Sequence, residues 1–379
     1  MKSLFEQIST VLRKGATILT ILHKAMLEYL VNTKPGTTEV TEFLELSKEH
    51  VADISFSKDG AQVVARCFAL GTSKDRKAML KALKPVAVSL ARSEHGHLVL
   101  LSILESMDDT VLLSKSLLPE FQPNLLDLAR DKYARAVLLR PFSGRHPRTL
   151  SPQALKLLQE TDALRSATSK KDPTTRQAEI VAHFSPSFLR CITDHAPTLA
   201  EDSFGCQFIT EVLLSAPADA TGGTDKDAAI AAVAALAAGD PREDGHIARS
   251  AAGARMLKTL ATGGHFCTKE RRVKRIPSLP PLPSPDAMNF FLKKKNKVAT
   301  PPLPFHKALY QTLAQHVPAW TSSAGSFVIV ALLESPSFPP KLRKALVNDI
   351  DLSSASSSSS CLPEENKGAQ VIKELLLKR

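Results

Sequence analysis

The sequence has few aromatic residues, no pairable set of cysteines and no long apolar run. Aromatic side chains make up 5% of the 379 residues, with one Trp. This low content disfavours a β-sandwich core and favours aliphatic helix packing. The five cysteines are odd in number and scattered, unlike a disulfide framework. The most apolar run, at 228–239, is too short to span a bilayer, and no signal peptide is evident. We therefore expect a soluble intracellular chain that contacts no membrane.

Motifs that carry chemistry are also missing. The sequence contains no phosphate-binding glycine loop, no G-x-S-x-G and no paired catalytic carboxylates. His95 and His97 lack further ligands at metal-site spacing. Cys191 and His195 share a helical face, but a buried cysteine is commonly a packing residue. The sequence predicts no catalytic residue, no metal site and no cofactor, so we expect that the protein is not an enzyme.

The charge balance is strongly basic. The formal net charge is +11 at pH 7 and the pI is near 9.4. An acidic partner is indicated, with nucleic acid the commonest kind and an anionic membrane surface the second.

A repeated pattern starting from a small residue organises the chain. Apolar residues follow the small residue at the third, fourth and seventh or eighth positions, which marks one face of a helix. Glycine inside a helix costs about 1 kcal/mol relative to alanine, so its repeated use predicts close approach of a neighbouring backbone. The small residues are Gly60, Gly96, Ala134, Gly205, Gly253, Gly325 and Gly368, and a weaker copy is predicted at Gly15. The residues six positions earlier are Ile54, Leu90, Leu128, Leu199, Ile247, Ala319 and Leu362.

Other amphipathic helices fill the intervals between these segments. Each is interrupted by a proline, at Pro85, Pro123 or Pro186. The repeating unit is therefore helix, bend, helix, and such units bury their apolar faces by stacking on one another. The fold class predicted from this pattern is an all-α solenoid of stacked helical repeats.

Three segments have linker composition. Residues 219–227 are rich in Gly, Thr and Asp and predict a loop, and 353–360 is a serine-rich loop. Residues 268–304 contain two basic runs around a proline-rich stretch and predict a disordered insertion. The basic runs are compatible with a nuclear-import signal, a nucleic-acid tether or a solvated linker.

Several strings resemble the Pumilio-like (Puf) repeat family, and in particular its nucleolar Penguin-type branch. They are SEHGHLVLLSILESMDDT at 93–110, LARDKYARAVLLRPFSGRHP at 128–147 and DSFGCQFITEVLLSA at 202–216. ARSAAGARMLKTLATGGHF at 248–266 and NKGAQVIKELL at 366–376 resemble the C-terminal CPL domain of that branch. The resemblance implies C-terminal Puf-type repeats at 1–149 and a CPL domain with degenerate repeats at 150–379. Members of the branch usually carry a lysine-rich N-terminus and further repeats, so the chain resembles their C-terminal part.

The resemblance also implies a role. Proteins of this branch are RNA-associated nucleolar factors in large ribosomal subunit maturation, and some regulate mRNA. We therefore expect a nuclear and nucleolar monomer that binds rRNA precursors or mRNA, contacts pre-ribosomal proteins and binds DNA without sequence preference.

Sequence-reading Puf proteins use the first, second and fifth residues after the small residue, about one base per repeat. Here those positions are mostly apolar, as in Ala61 with Ala65 and Leu98 with Leu101. Cys206 with Thr210 comes nearest to a reading pair. Apolar side chains at these positions cannot hydrogen-bond to a base edge. Together with the family resemblance, this predicts RNA binding through phosphates, with little preference for base sequence.

The expected RNA-binding residues are mainly basic and cluster at 130–148. Tyr133 within that cluster either stacks on a base or packs half-buried, and the arginines either contact phosphate or form a solvated rim. The alternative functions are an mRNA-binding regulator of translation and a protein-binding scaffold that does not contact RNA. The residues are Arg66, His97, Arg130, Lys132, Tyr133, Arg135, Arg140, Arg145, Arg148, Arg255 and Lys258.

Overall fold

A computed structural model describes residues 2–217, 224–267, 272–274, 303–335, 338–355 and 366–377. The chain divides into two compact units, Met1–Phe184 and Ser185–Arg379. Within each unit the described elements are almost all helices, and the second helices of successive repeats pack side by side. The predicted all-α fold of stacked repeats is confirmed in both units.

Unit 1 holds twelve complete described helices and the first part of a thirteenth. Its repeats are stacked through α2, α5, α8 and α11. The helices are α1 Lys2–Arg13, α2 Thr20–Asn32, α3 Thr38–Ser47, α4 Val51–Ile54, α5 Lys58–Leu70, α6 Ser73–Leu83, α7 Ala87–Arg92, α8 Gly96–Ser106, α9 Thr110–Phe121, α10 Leu125–Arg130, α11 Ala134–Ser143, α12 Pro152–Ser166 and α13 Pro173–Ala200.

Unit 2 contains the end of α13 and further repeats, stacked through α14, α16, α19 and α21. A two-stranded antiparallel hairpin of His265–Cys267 and Arg272–Lys274 follows α16. The helices are α14 Ser203–Ser215, α15 Thr224–Ala235, α16 Ala251–Thr262, α17 Phe305–Leu313, α18 Val317–Ser322, α19 Ser326–Glu334, α20 Pro340–Ala355 and α21 Lys367–Leu377.

The bend inside each repeat recurs at a fixed place. One residue with φ between −104° and −130° and ψ near zero interrupts the helix at His50, Val86, Asn124 and His195, ten residues before the small residue in each case. The bends predicted at Pro85 and Pro123 are confirmed, since each proline stands next to an interrupting residue. The break predicted at Pro186 is wrong. Helix α13 continues through Pro186, and the interruption is at His195. Pro197 then stands in the first turn after the interruption, where a helix tolerates proline.

The small residue is required by close packing against the residue six positions earlier. A Cβ on Gly60 would overlap the carbonyl oxygen of Ile54, and one on Gly96 would lie 2.8 Å from a methyl of Leu90. In the repeat that begins at Gly325 the partner is Trp320 instead of Ala319. The interruption in this repeat is at His316, so the connection is one residue shorter.

A capping side chain also recurs, and the sequence reasoning missed it. Ser57 accepts a hydrogen bond from the Gly60 amide at 3.0 Å, and Asp202 accepts one from the Gly205 amide at 2.9 Å. Ser or Asp at this position satisfies amides that the first helical turn leaves without partners. The sequence signal was a Ser or Asp three residues before six of the seven small residues.

Three smaller predictions are corrected. Gly15 has a φ of +71° in a turn, and Ile18 is 76% exposed, so no repeat helix begins there. Residues 224–227 are the start of α15, and 353–355 are the end of α20. Residues 272–274 of the predicted insertion form a strand, because they pair with 265–267. The basic and proline-rich runs at 275–302, residues 268–271 and the remainder of the serine-rich segment lie outside the described residues.

Candidate nucleic-acid interface

The base-reading positions of the first two repeats are closed. Ala61 and Ala65 on α5, and Leu98 and Leu101 on α8, are at most 1% exposed. Helix α12 packs against both α5 and α8. It covers the helix faces that a sequence-reading Puf repeat turns toward RNA, so bases cannot reach these positions.

Helix α12 is held against α5 by apolar side chains and an ion pair. Leu157 and Leu158 are buried, at 4% and 1% exposure. Arg66 Nη2 on α5 donates to Glu160 Oε2 on α12 at 2.9 Å. Arg66, expected to contact phosphate, instead fastens α12 to the repeat.

A second group of arginines is committed to a buried carboxylate. Glu105 at the end of α8 is 6% exposed in its side chain. It accepts hydrogen bonds from Arg140 Nε at 2.8 Å, Arg145 Nε at 2.8 Å and Arg165 Nη1 at 2.5 Å. Burial alone would raise the pKa of Glu105, yet hydrogen bonding and charge from Arg145 and Arg140 lower it to about 2. The carboxylate is therefore ionised at neutral pH.

These contacts correct the expectation for Arg140 and Arg145. Arg145 also donates to Asp162 on α12, with 2.6 Å between Nη1 and Oδ2. Both arginines line a cavity of about 220 Å³ beside the carboxylates of Glu105 and Asp162. Their guanidinium groups join α8, α11 and α12 within unit 1, and we do not assign them to phosphate.

Tyr133 packs inside the basic cluster. Its ring centroid lies 5.0 Å from that of His97, and the Lys132 ammonium lies 4.9 Å from it. His97 is 5% exposed, and burial lowers its pKa, so the imidazole is neutral at pH 7. This geometry favours the interpretation that Tyr133 is a packing residue. His97 is buried and is therefore not available on the surface for RNA.

The other expected residues of 130–148 differ in exposure. Lys132 and Arg148 are exposed, Arg130 is half-buried, and Arg135 is 9% exposed. Arg148 Nη1 lies 2.9 Å from His146 Nε2. Lys132 and Arg148 are thus the most exposed of these residues.

The two residues that most resemble a base-reading pair, Cys206 and Thr210, are also buried. Cys206 and Thr210 on α14 are 3% and 5% exposed. Thr210 Oγ1 donates to the carbonyl of Cys206 at 2.8 Å, and the Cys206 thiol lies 3.5 Å from the carbonyl of Ala200. Neither side chain is presented to a base.

In the last three repeats of unit 2, several side chains at the base-reading positions are exposed. Arg255 and Lys258 on α16 are exposed, as are Gln370 and Lys373 on α21. Between them on α19 lies Phe327, which is 42% exposed. The structure therefore presents an open basic face on α16, α19 and α21, and Phe327 is the member that sequence reasoning did not select. The sequence feature that could have identified Phe327 is an aromatic residue at the second position after the small residue Gly325.

The described residues carry little that resembles a reaction centre. They contain no cluster of three or more His, Cys, Asp or Glu side chains suited to a metal ion. Cys191 is buried, and burial raises the pKa of its thiol to about 12, while His195 is exposed at the bend. A thiol in that state is a poor nucleophile.

Within the part of the chain that the structure describes, no single helix is long and apolar enough to cross a membrane. Phe305–Ser322 and Ser326–Glu334 reach that length and composition only when taken together, and they are bent by 116°.

Comparison with known proteins identifies relatives for most of the chain. The model of the CPL (NUC119) domain family matches residues 130–272. Pumilio homology domain family member 6 of Schizosaccharomyces pombe is 32% identical over 336 residues, covering 88% of this chain and 48% of the relative. The protein of the same name from Saccharomyces cerevisiae is 31% identical, covering 99% of this chain and 54% of the relative. The chain thus spans about half the length of these relatives.

Solved structures show the same fold. The crystal structure of human Puf-A matches with a TM-score of 0.76 and 25% identity, covering 97% of this chain and 64% of that one. A structure of human Puf-A in complex with DNA matches with a TM-score of 0.73 and 26% identity, covering 94% of this chain and 61% of that one.

Proposed function

Because this chain belongs to the Puf-like repeat family, in the Penguin-type branch that carries a CPL domain, we propose that it binds RNA through the phosphate backbone with little preference for base sequence. The observation that carries the proposal is the open basic face of α16, α19 and α21. Lys258 and Lys373 occupy the fifth position of their repeats, where a reading residue would otherwise address a base edge. A lysine there is a point charge suited to phosphate.

The closed positions of unit 1 support the same mode of binding. Ala61, Ala65, Leu98 and Leu101 have no side-chain donor or acceptor, and α12 lies against their helices. The net charge of +11 supplies long-range attraction for a polyanion. Human Puf-A, which shares the fold, has been crystallised with DNA, and this supports binding of a nucleic-acid backbone.

We place this activity in large ribosomal subunit maturation in the nucleolus, on rRNA precursors and alongside pre-ribosomal proteins. The support is the Penguin-type resemblance together with a binding mode that suits structured RNA. Crosslinking of the protein to RNA in cells, followed by sequencing and imaging, separates the alternatives. Reads concentrated on large-subunit precursors and nucleolar signal support the proposal, whereas reads on mature mRNAs and cytoplasmic signal favour an mRNA regulator.

Titration with several unrelated single-stranded and structured RNAs tests the binding mode. We expect similar affinities for all of them and a steep loss of affinity between about 50 mM and about 500 mM salt, since counterions are released on binding. Absence of binding at the lower salt concentration contradicts RNA binding and favours a protein scaffold. An affinity that is the same at the higher salt concentration contradicts binding through phosphate contacts.

A further inference from the structure

A cavity in unit 1 lies where four helices meet. It has a volume of about 220 Å³ and is lined by residues near the ends of α8, α11 and α12 and at the start of α13. All of these residues belong to unit 1. A single ordered water needs only about 10–15 Å³, so the cavity has room for an amino-acid side chain.

Much of the lining is strongly basic. Its arginines are Arg140, Arg145, Arg165 and Arg176. They accompany two carboxylates, those of Glu105 and Asp162. Arg176 also pairs with Asp108, which lies 4.0 Å from Arg76, and these two residues add one charge of each sign. Five arginines against three carboxylates leave an excess of two positive charges.

Part of this charge is offset by the carbonyl ends of α8 and α11. Arg176 Nε donates to the carbonyl of Met107 at 3.1 Å, and Gln177 Nε2 donates to the carbonyl of Pro141 at 2.6 Å. The opposite dipole at the start of α13 is capped by Asp172. The end of a helix carries about half a negative charge, so about one positive charge remains for a ligand. A single carboxylate matches that remainder better than a doubly charged phosphate does.

Two of the guanidinium groups keep a donor for a ligand. Arg140 donates to Glu105 Oε1 from Nε at 2.8 Å and from Nη2 at 2.5 Å. Arg176 donates from Nε to Met107 and from Nη2 to Asp108. No described residue accepts a hydrogen bond from Nη1 of either arginine, although their side chains are only 12% and 3% exposed. Buried donors are almost always paired, so these two groups favour an acceptor inside the cavity.

The lining also has an apolar part. It consists of Leu104, Pro141, Pro173 and Ile180. Leu104 and Ile180 are 4% and 1% exposed. An inorganic anion has no group to place against these side chains. A carboxylate carried on methylene groups suits the whole lining, because its stem is apolar and its head pairs with guanidinium.

We propose that this cavity binds a glutamate side chain of an acidic protein partner. The carboxylate pairs with Arg140 and Arg176, and the methylene groups lie against Leu104 and Ile180. The net charge of +11 attracts such a partner over distance. The proposed RNA face is in unit 2, so this site goes beyond the proposed function and does not depend on it.

Fluorescence anisotropy on the full chain tests the proposal. The probe is a short fluorescein-labelled peptide of glutamate and leucine, and its partner is the same peptide with glutamine in place of glutamate. We expect the glutamine peptide to bind at least about tenfold more weakly, because it lacks the charge that pairs with guanidinium.

Two variants that keep the net charge separate the cavity from general attraction. Arg140→Lys loses the planar fork that matches a carboxylate and should weaken binding of the glutamate peptide about tenfold. Leu104→Phe fills the apolar part of the lining and should weaken binding at least as much. The matched control is Arg66→Lys, since Arg66 pairs with Glu160 outside the cavity, and its affinity should equal that of the wild type.

Isoleucine-methyl NMR of the wild type adds a readout that does not depend on how the variants fold. The Ile180 resonance is identified by its absence in Ile180→Val. We expect it to shift with the glutamate peptide and with 4-methylpentanoate, a single carboxylate on an aliphatic stem, but not with inorganic phosphate. The methyl resonance of Ile54, which is buried on α4 outside the cavity, should not shift.

Several outcomes would overturn the site. They are no binding of the glutamate peptide by the wild type, R140K and L104F affinities within about twofold of it, or an Ile180 resonance that does not move. An equal Ile180 shift with phosphate overturns the assignment to a carboxylate. A loss of RNA affinity in R140K as large as its loss of peptide affinity would make RNA the occupant and also overturns it. The proposed function is judged separately, by the RNA titrations of the wild type.

Discussion

Arg66 on α5 donates a hydrogen bond to Glu160 on α12 at 2.9 Å, across 94 positions of sequence. This pair marks the place where a helix outside the repeat pattern covers two repeats. This cover distinguishes the repeats of unit 1, whose base-reading positions are buried, from the exposed basic residues on α16, α19 and α21 of unit 2.

Because α12 covers the base-reading positions of unit 1, we expect substitutions beneath it to change stability but not RNA affinity. Leu158→Ala removes a side chain that is 1% exposed between α12 and the repeats. We expect the free energy of unfolding to fall by about 2–4 kcal/mol, since the vacated volume loses its contacts. Urea denaturation measures this loss. RNA affinity at a temperature where the variant is folded should be unchanged, and a large drop would mean that α12 contributes directly to the RNA site.

The close packing of the repeat glycines predicts an effect opposite to helix propensity. Gly205→Ala gains about 1 kcal/mol from propensity alone. Its Cβ would overlap the carbonyl of Leu199, with the Leu199 Cα at 2.8 Å. We therefore expect a net destabilisation of about 1–3 kcal/mol from overpacking. A variant more stable than the wild type in urea would contradict the packing account.

The ionised Glu105 predicts a pH dependence of stability. Its pKa is lowered from 4.5 to about 2 in the folded chain, so it stabilises the fold above pH 4.5. This stabilisation is lost as the pH falls from 4.5 toward 2. Glu105→Gln removes the buried carboxylate that Arg140, Arg145 and Arg165 share, although Asp162 still pairs with Arg145 and Arg165. We expect it to cost about 3 kcal/mol at pH 7.

Urea midpoints measured between pH 7 and pH 2.5 check this pH dependence. The difference between wild type and E105Q should shrink at the acid end of the range. A constant difference, or a comparable cost for the exposed control Glu94→Gln, would show that Glu105 is not the group responsible.

Burial of the cysteines predicts chemical inertness. Burial raises the pKa of Cys67 and of Cys191 to about 12, and of Cys206 to about 11. We expect iodoacetamide at pH 8 to leave these thiols unmodified in the folded protein and to alkylate them in urea. Mass spectrometry of peptides gives the readout. Rapid alkylation of Cys191 in the native state would reopen the nucleophile hypothesis.

The repeat itself was predictable from sequence because it depends on contacts within about ten residues. The small residue, its apolar partner six positions earlier and the bends at Pro85 and Pro123 all act locally. Where one residue is missing from the connection, as before Gly325, the partner shifts to Trp320, and counting positions from the glycine selects the wrong residue.

The accessibility of the site was not predictable in the same way. Charge and position alone selected Arg66, Arg140 and Arg145 as phosphate ligands. Their carboxylate partners Glu160, Glu105 and Asp162 lie 94, 35 and 17 positions away, respectively. Pairing at such distances depends on how α12 packs, which the repeat pattern does not specify.

The salt dependence of RNA affinity tests the central claim most directly. The variant R255Q/K258Q/K373Q removes three charges from the open face, and K74Q/K81Q/K115Q removes three exposed charges from α6 and α9. Each phosphate contact with a single strand contributes about 0.7 to the slope of log affinity against log salt. We predict that the first variant lowers the slope by about 2 for every RNA tested and that the second leaves it unchanged. Equal slopes for the first variant and the wild type would contradict an RNA site on α16, α19 and α21.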